Sequence, residues 1–185
     1  MVDTGSMRKG ITIIMDGELY KIMEYNHVKQ GRGTAFVRLT LRNVRTGSTT
    51  IKTVMAGERF EQARLENRKV TFLYRDDDHF YFMDQETYDQ PAVAEDVIGD
   101  AAKYLKEGQE LELLFYASEV LDVALPTAVE LVITETEPNY RGDTSSGGKP
   151  ATLETGVVTT VPFFVNQGER IRVDTRTGAY IERAG

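Results

Sequence analysis

The sequence predicts an all-β protein made of two or three small barrels or sandwiches. Three observations carry this. Short runs alternating apolar and polar residues recur along the chain, with Gly, Pro, Asn or Asp between them. Only one stretch carries convincing helix signals. The chain has 185 residues, too many for one small domain of about 60 residues.

Ile11 to Met15 and Glu18 to Tyr25 flank Asp16-Gly17, a two-residue hairpin signal. Ala35 to Arg42 alternates as a half-buried strand does, and Arg45-Thr46-Gly47 turns the chain into Thr49 to Val54. Val70 to Tyr74 and Phe80 to Met83 flank an acidic turn. Glu110 to Tyr116, Val129 to Thr134, Gly156 to Val161, Glu169 to Val173 and Ala179 to Glu182 complete the strands. The helix expected is Pro91 to Lys106, with Asp89 as cap, Pro91 in the first turn and Gly108 as stop. A single helical turn is expected around Gly57 to Gln62.

Hydrophobic residues make up 41% of the chain and charged residues 28%, values that exclude whole-chain disorder and collagen-like repetition. Apolar runs are strand-sized, so no helical membrane span is expected, and residues 1–10 lack the apolar core of a signal peptide. The cytoplasm is the expected location. Cysteine is absent, which removes disulfides, thiolate zinc sites and cysteine nucleophiles together.

The net charge of −7 argues at first against a nucleic-acid partner, but it hides a gradient. Residues 1–63 hold 10 Lys/Arg against 6 Asp/Glu, a net of +4. Residues 64–127 have a net of −9 and residues 128–185 a net of −2. From Tyr25 to Gly57 there is no acid but there are six basic residues: Lys29, Arg32, Arg38, Arg42, Arg45 and Lys52. One end of the chain is suited to an anion while the middle keeps it soluble; a chance fluctuation among solvated charges is the competing reading.

Lys29-Gln-Gly31-Arg32-Gly33 sits between two strands. Glycines on both sides of Arg32 give a permissive hairpin tip from which a long cation can enter a narrow anionic site, pairing with phosphate or stacking on a base. An ordinary exposed turn has the same spacing. Arg141 to Pro150 fails as a phosphate loop, because Gly148 stands where the lysine belongs and Pro150 blocks the turn into a helix. It reads as a polar linker able to touch an RNA backbone. Asp76-Asp77-Asp78-His79 lacks calcium-loop spacing and reads as a solvated turn. Neither His27 and His79 nor the scattered serines form a metal or catalytic set, so no metal, no cofactor and no enzyme activity are expected.

Two segments together resemble the bacterial elongation factor P family. The first is Met15-Asp-Gly to Tyr20, followed by the Gly31-Arg32-Gly33 tip. The second is Gly142-Asp-Thr, Gly148-Lys-Pro-Ala-Thr-Leu-Glu-Thr-Gly156, Val161-Pro162, Val165, Gly168-Glu169 and Val173-Asp-Thr-Arg-Thr-Gly178. Thr159 departs from the pattern, standing where the family prefers an aliphatic residue, and is expected to be a tolerated strand position. Ala124-Leu125-Pro126 departs from the family's usual Thr-Pro-Pro and is closer to an elongation-factor-P-like paralogue.

The resemblance implies three barrels in an L-shaped, tRNA-like arrangement: an SH3-like, KOW-type domain over 1–63, then OB-folds over 64–127 and 128–185. It implies a translation factor, not an enzyme, that binds the ribosome between the P and E sites and stimulates peptide-bond formation at stalled consecutive prolines. The implied partners are ribosomal RNA and proteins, P-site peptidyl-tRNA and E-site mRNA, with no membrane and a monomeric state. By position Arg32 would reach the CCA end of the P-site tRNA, supported by Lys29, Gly31 and Gly33. Arg32 replaces the lysine that many relatives extend with β-lysine, so it is either rhamnosylated by a glycosyltransferase or unmodified. Gly142, Asp143 and Thr144 would face E-site mRNA, and Tyr180 and Arg183 would touch the ribosome. The alternatives are the paralogue and a generic single-stranded RNA-binding OB-fold protein, for which Phe72, Tyr81 and Phe82 are candidate stacking platforms, although core or strand packing is the favoured role for these aromatics.

Overall fold

Asp16 and Gly17 both take positive φ, 53° and 80°, as a type I′ hairpin turn requires. A computed structural model describes residues 1–28, 31–138 and 147–185. The chain divides into two compact units, Met1–Glu66 with Phe115–Leu121 and Asn67–Leu114 with Asp122–Gly185.

In the first unit, β1 (Val2–Asp3), β2 (Thr12–Met15), β3 (Glu18–Val28), β4 (Phe36–Asn43), β5 (Thr49–Met55) and β6 (Arg59–Gln62) form one sheet, ordered β1-β6-β2-β3-β4-β5. Alternation decides its faces. Val37, Leu39, Leu41 and Asn43 of β4 point inward and join Met7, Ile13, Met15, Ile22 and Val54 in the core. Burying each aliphatic side chain contributes about 1.5–3 kcal/mol. Asn43 is tolerated there because its polar atoms are used. Its Oδ1 accepts the N–H groups of Arg45 and Thr46 at 2.9 and 3.0 Å, and its Nδ2 donates to Glu18 at 3.2 Å. That pattern folds the Arg45-Thr46-Gly47 turn.

The helical turn expected at Gly57 to Gln62 is a strand instead. Phe60 of β6 pairs with Val2, and Glu61 and Gln62 pair with Ile14 and Ile13. Backbone groups of β1 and β2 need ladder partners, and this demand outweighs local propensity.

A second sheet is ordered β11-β10-β7-β8-β9, from β7 (Leu65–Arg75), β8 (His79–Asp84), β9 (Ala92–Ala94), β10 (Glu110–Tyr116) and β11 (Glu119–Ala124). The expected long helix breaks into three pieces: β9, a single helical turn α1 (Glu95–Ile98) and a 3₁₀ segment, Gly99–Tyr104. Val93 pairs with Phe80 and is buried, so this part of the chain joins the sheet. Gly99 then takes φ 53° and ends the helix after one turn. Asp89 and Pro91 therefore lie outside any helix.

The third sheet, ordered β14-β13-β12-β15-β16, comprises β12 (Ala128–Thr136), β13 (Lys149–Leu153), β14 (Val158–Val161), β15 (Arg170–Asp174) and β16 (Tyr180–Arg183). Val129, Leu131, Ile133, Leu153, Val161, Ile171 and Val173 form its core. No helix among the described residues is long and apolar enough to cross a membrane.

Candidate nucleic-acid interface

The outer face of the first sheet follows from the register of β3, β4 and β5. Arg38 lies between Asn26 and Thr53, Thr40 between Glu24 and Ile51, and Arg42 between Lys21 and Thr49. Directly paired residues share a face, so Lys21, Arg38 and Arg42 line up outward with three threonines and one acid, Glu24. All three cations are exposed. Among the described residues neither arginine is ion-paired. Ile51 and Met55, 63% and 54% exposed, lie on the same strip.

The six basic residues of the acid-free stretch do not act alike. Lys52 bonds Asp16 at 3.1 Å. Arg45 makes two parallel bonds of 2.9 Å to Glu119 and a longer one of 3.4 Å to Glu18. Glu119 lies in the Phe115–Leu121 segment of the same compact unit. The paired carboxylate raises the Arg45 pKa, and Arg45 in turn lowers that of Glu119. Arg45 and Lys52 are thus structural cations, a division invisible in a charge count. Lys29 lies outside the described residues. Among the described residues Arg32, Arg38 and Arg42 are exposed and have no ion pair.

Arg32 is exposed between Gly31 and Gly33, past the end of β3. Gly31 takes φ 48°, with open space where a side chain would sit. Among the described residues no acid pairs with Arg32. Its guanidinium stands on the connection leading into β4, the strand that carries Arg38 and Arg42.

Gly142, Asp143 and Thr144 lie outside the described residues. Tyr180 is partly buried against the third core. Arg183 is held in place: its Nε is 2.9 Å from Glu169, its Nη2 donates to the Phe164 carbonyl at 2.8 Å, and its guanidinium sits 4.7 Å from the Phe164 ring centre. Of the three candidate stacking aromatics, Phe72 and Phe82 take the favoured core role, 4% and 0% exposed, and Tyr81 alone of the three reaches the surface.

The acidic turn is a folded turn. Asp76 Oδ1 accepts the N–H groups of Asp78 and His79 at 3.0 and 2.8 Å, and Oδ2 accepts the Tyr81 hydroxyl at 2.7 Å. The Tyr81 bond and then those backbone donors lower the Asp76 pKa. Among the described residues no three His, Asp or Glu converge as a metal site.

Small β-barrel modules in sequence, the first bearing a cationic strip that is unpaired among the described residues, define a modular all-β class of protein. Comparison with known proteins makes this specific. The "Elongation factor P (EF-P) KOW-like domain" matches residues 3–60, the "Elongation factor P (EF-P) OB domain" residues 65–123, and "Elongation factor P, C-terminal" residues 129–183. Elongation factor P of Herpetosiphon aurantiacus is 62% identical over 184 residues, covering 99% of this chain and all of the relative. That of Thermotoga maritima is 47% identical over the full length of both. The chain belongs to the elongation factor P family, a family of translation factors. Among solved structures, eukaryotic translation initiation factor 5A from Methanococcus jannaschii superposes with a TM-score of 0.56 at 22% identity, over 66% of this chain and 92% of that one. At that identity the likeness concerns the fold.

Proposed function

We propose that this chain binds the ribosome between the P and E sites and stimulates peptide-bond formation where consecutive prolines stall the peptidyl-tRNA. The observation that carries this is the unpaired cationic strip of Arg38 and Arg42 on the strand that follows the exposed Arg32 tip. In this reading the strip binds the phosphate backbone of the tRNA acceptor end, and Arg32 extends to the CCA end. Residues 1–63, 64–127 and 128–185 are the three working domains. The loop with Gly142, Asp143 and Thr144 meets E-site mRNA, and Tyr180 and Arg183 support ribosome contact.

The chemistry needed from the chain is positional. Proline's ring restricts its backbone and makes it a poor partner for attack. Holding the acceptor end still restores a reactive geometry by removing the entropic part of the barrier, without a proton donor or acceptor from this protein. In reconstituted translation of a message encoding consecutive prolines, the wild-type chain restores full-length product and Arg32→Ala restores at least ten-fold less. Equal rescue by both removes the tip from the mechanism. Deoxyhexose on Arg32 is a separate matter, read from the intact mass of protein from its native host.

A further inference from the structure

The sheet containing β7 and β8 carries an aromatic pair on its outer face that the proposed function does not use. Val70 and Phe72 of β7 point into the core, and simple alternation would send Tyr74 after them. A bulge between Phe72 and Tyr74 shifts the register, so that Phe72 faces Phe82 but Tyr74 faces Tyr81. Tyr74 thereby surfaces. Its ring stacks on Tyr81, centroids 4.6 Å apart and planes 21° from parallel, and it remains 49% exposed.

The turn beside this pair is acidic. Exposed Asp77 and Asp78 occupy the adjoining turn, and the Glu95 N–H bonds the Asp78 carbonyl at 3.3 Å, which brings a further exposed carboxylate residue to the turn. Asp76 accepts the Tyr81 hydroxyl, and a carboxylate on the phenol enriches the ring in electron density. Arg75, the last residue of β7, has its guanidinium 5.4 Å from the Phe80 ring centre. Half-buried His79 has its ring centre 6.5 Å from that of Tyr81.

We propose that Tyr74 and Tyr81, with Asp77 and Asp78, form a docking site for an arginine side chain of a basic protein segment. A guanidinium lies flat on an exposed tyrosine face and is held by the ring's electron density, while carboxylates beside it supply charge complementarity. A nucleobase could use the same ring, but its phosphates would meet the acidic turn, so the electrostatics choose the cation.

The test uses the full chain and two probes, a decapeptide of alternating Arg and Gly and a ten-nucleotide polyuridine RNA. Binding is followed by NMR, with the ring-current shift of the peptide's arginine δ-protons reporting stacking. The peptide should bind saturably with those protons shifted upfield. Tyr74→Phe should keep the affinity within two-fold. Tyr74→Leu, which changes no charge, should weaken it about five-fold and abolish the shift, and Asp77→Asn with Asp78→Asn should weaken it and flatten its salt dependence. Equal affinities for wild type and Tyr74→Leu would overturn the proposal, as would no peptide binding. Tighter binding of the RNA, lost in Tyr74→Leu, would overturn it in favour of base stacking. Thermal melts of each variant confirm that the exposed substitutions leave the fold intact.

Discussion

Thr159 donates its hydroxyl to the carbonyl of Gly178 at 2.6 Å. This bond ties β14 to the turn that precedes β16. Thr159 is 7% exposed, so its hydroxyl could not be left without an acceptor at small cost. The sequence suggests a tolerated departure at this position; the structure makes the residue a linker between two strands of the third sheet. Thr159→Val should lower stability by about 1 kcal/mol, measured by urea unfolding.

Gly178 has a second constraint. It takes φ 74°, and a Cβ added there would lie 3.0 Å from the Tyr104 hydroxyl. Gly178→Ala should cost about 1–2 kcal/mol, the penalty for an L residue in left-handed backbone. Combining it with Tyr104→Phe should recover only the steric part, because the backbone strain remains. Full recovery in thermal melts would show that crowding alone explains the glycine.

Asp174 and Arg176 close the same turn. Arg176 Nη2 donates to Asp174 at 2.9 Å and the Arg176 N–H at 2.8 Å. The guanidinium, then the backbone donor, hold the Asp174 pKa down to about 2 from its ordinary 3.8. A lowered carboxylate stabilises the fold fully above its unfolded pKa and loses that contribution as pH falls through the folded value. The Asp174 contribution should therefore be complete above about 3.8 and fade toward about 2. Arg176→Gln should move the titration back toward the ordinary value, read from the side-chain carboxyl ¹³C shift.

Arg45 and Glu119 should show measurable but small coupling. Their side chains are 33% and 47% exposed, so water and salt screen the pair despite its two parallel bonds. A double-mutant cycle with Arg45→Met and Glu119→Gln should give about 0.5–1 kcal/mol, smaller at 1 M salt. Ribosome binding should fall less for Arg45→Met than for loss of an unpaired cation, since Arg45 is already neutralised.

Arg38→Glu and Arg42→Glu should each weaken co-sedimentation with ribosomes several-fold at moderate salt. Lys103→Glu, on the 3₁₀ segment and already 3.2 Å from Asp100, should change it little. Equal effects at all three positions would mean that the basic first third of the chain has no special part in binding.

Much of the fold was legible in the sequence because its signals are local. Period-two alternation at Phe36 to Asn43 fixes which side chains face inward, and Asp16-Gly17 accepts the positive φ values of a tight hairpin. Cysteine's absence and the acid-free run from Tyr25 to Gly57 are likewise properties of the chain alone. Met15 to Tyr20 with the Gly31-Arg32-Gly33 tip, and the pattern from Gly142 to Gly178, carry the resemblance to the family in the sequence itself. Tertiary structure decided what depends on partners distant in sequence. Arg59 to Gln62 became a strand because β1 and β2 needed hydrogen bonds, and Val93 joined a sheet because Phe80 lay beside it. A bulge sent Tyr74 outward where alternation pointed inward. Glu119, 74 positions from Arg45, made one arginine of the basic run structural, whereas among the described residues Arg38 and Arg42 have no ion pair. Charge can be counted along a chain, but whether a cation is free depends on which carboxylate folding brings within hydrogen-bond reach.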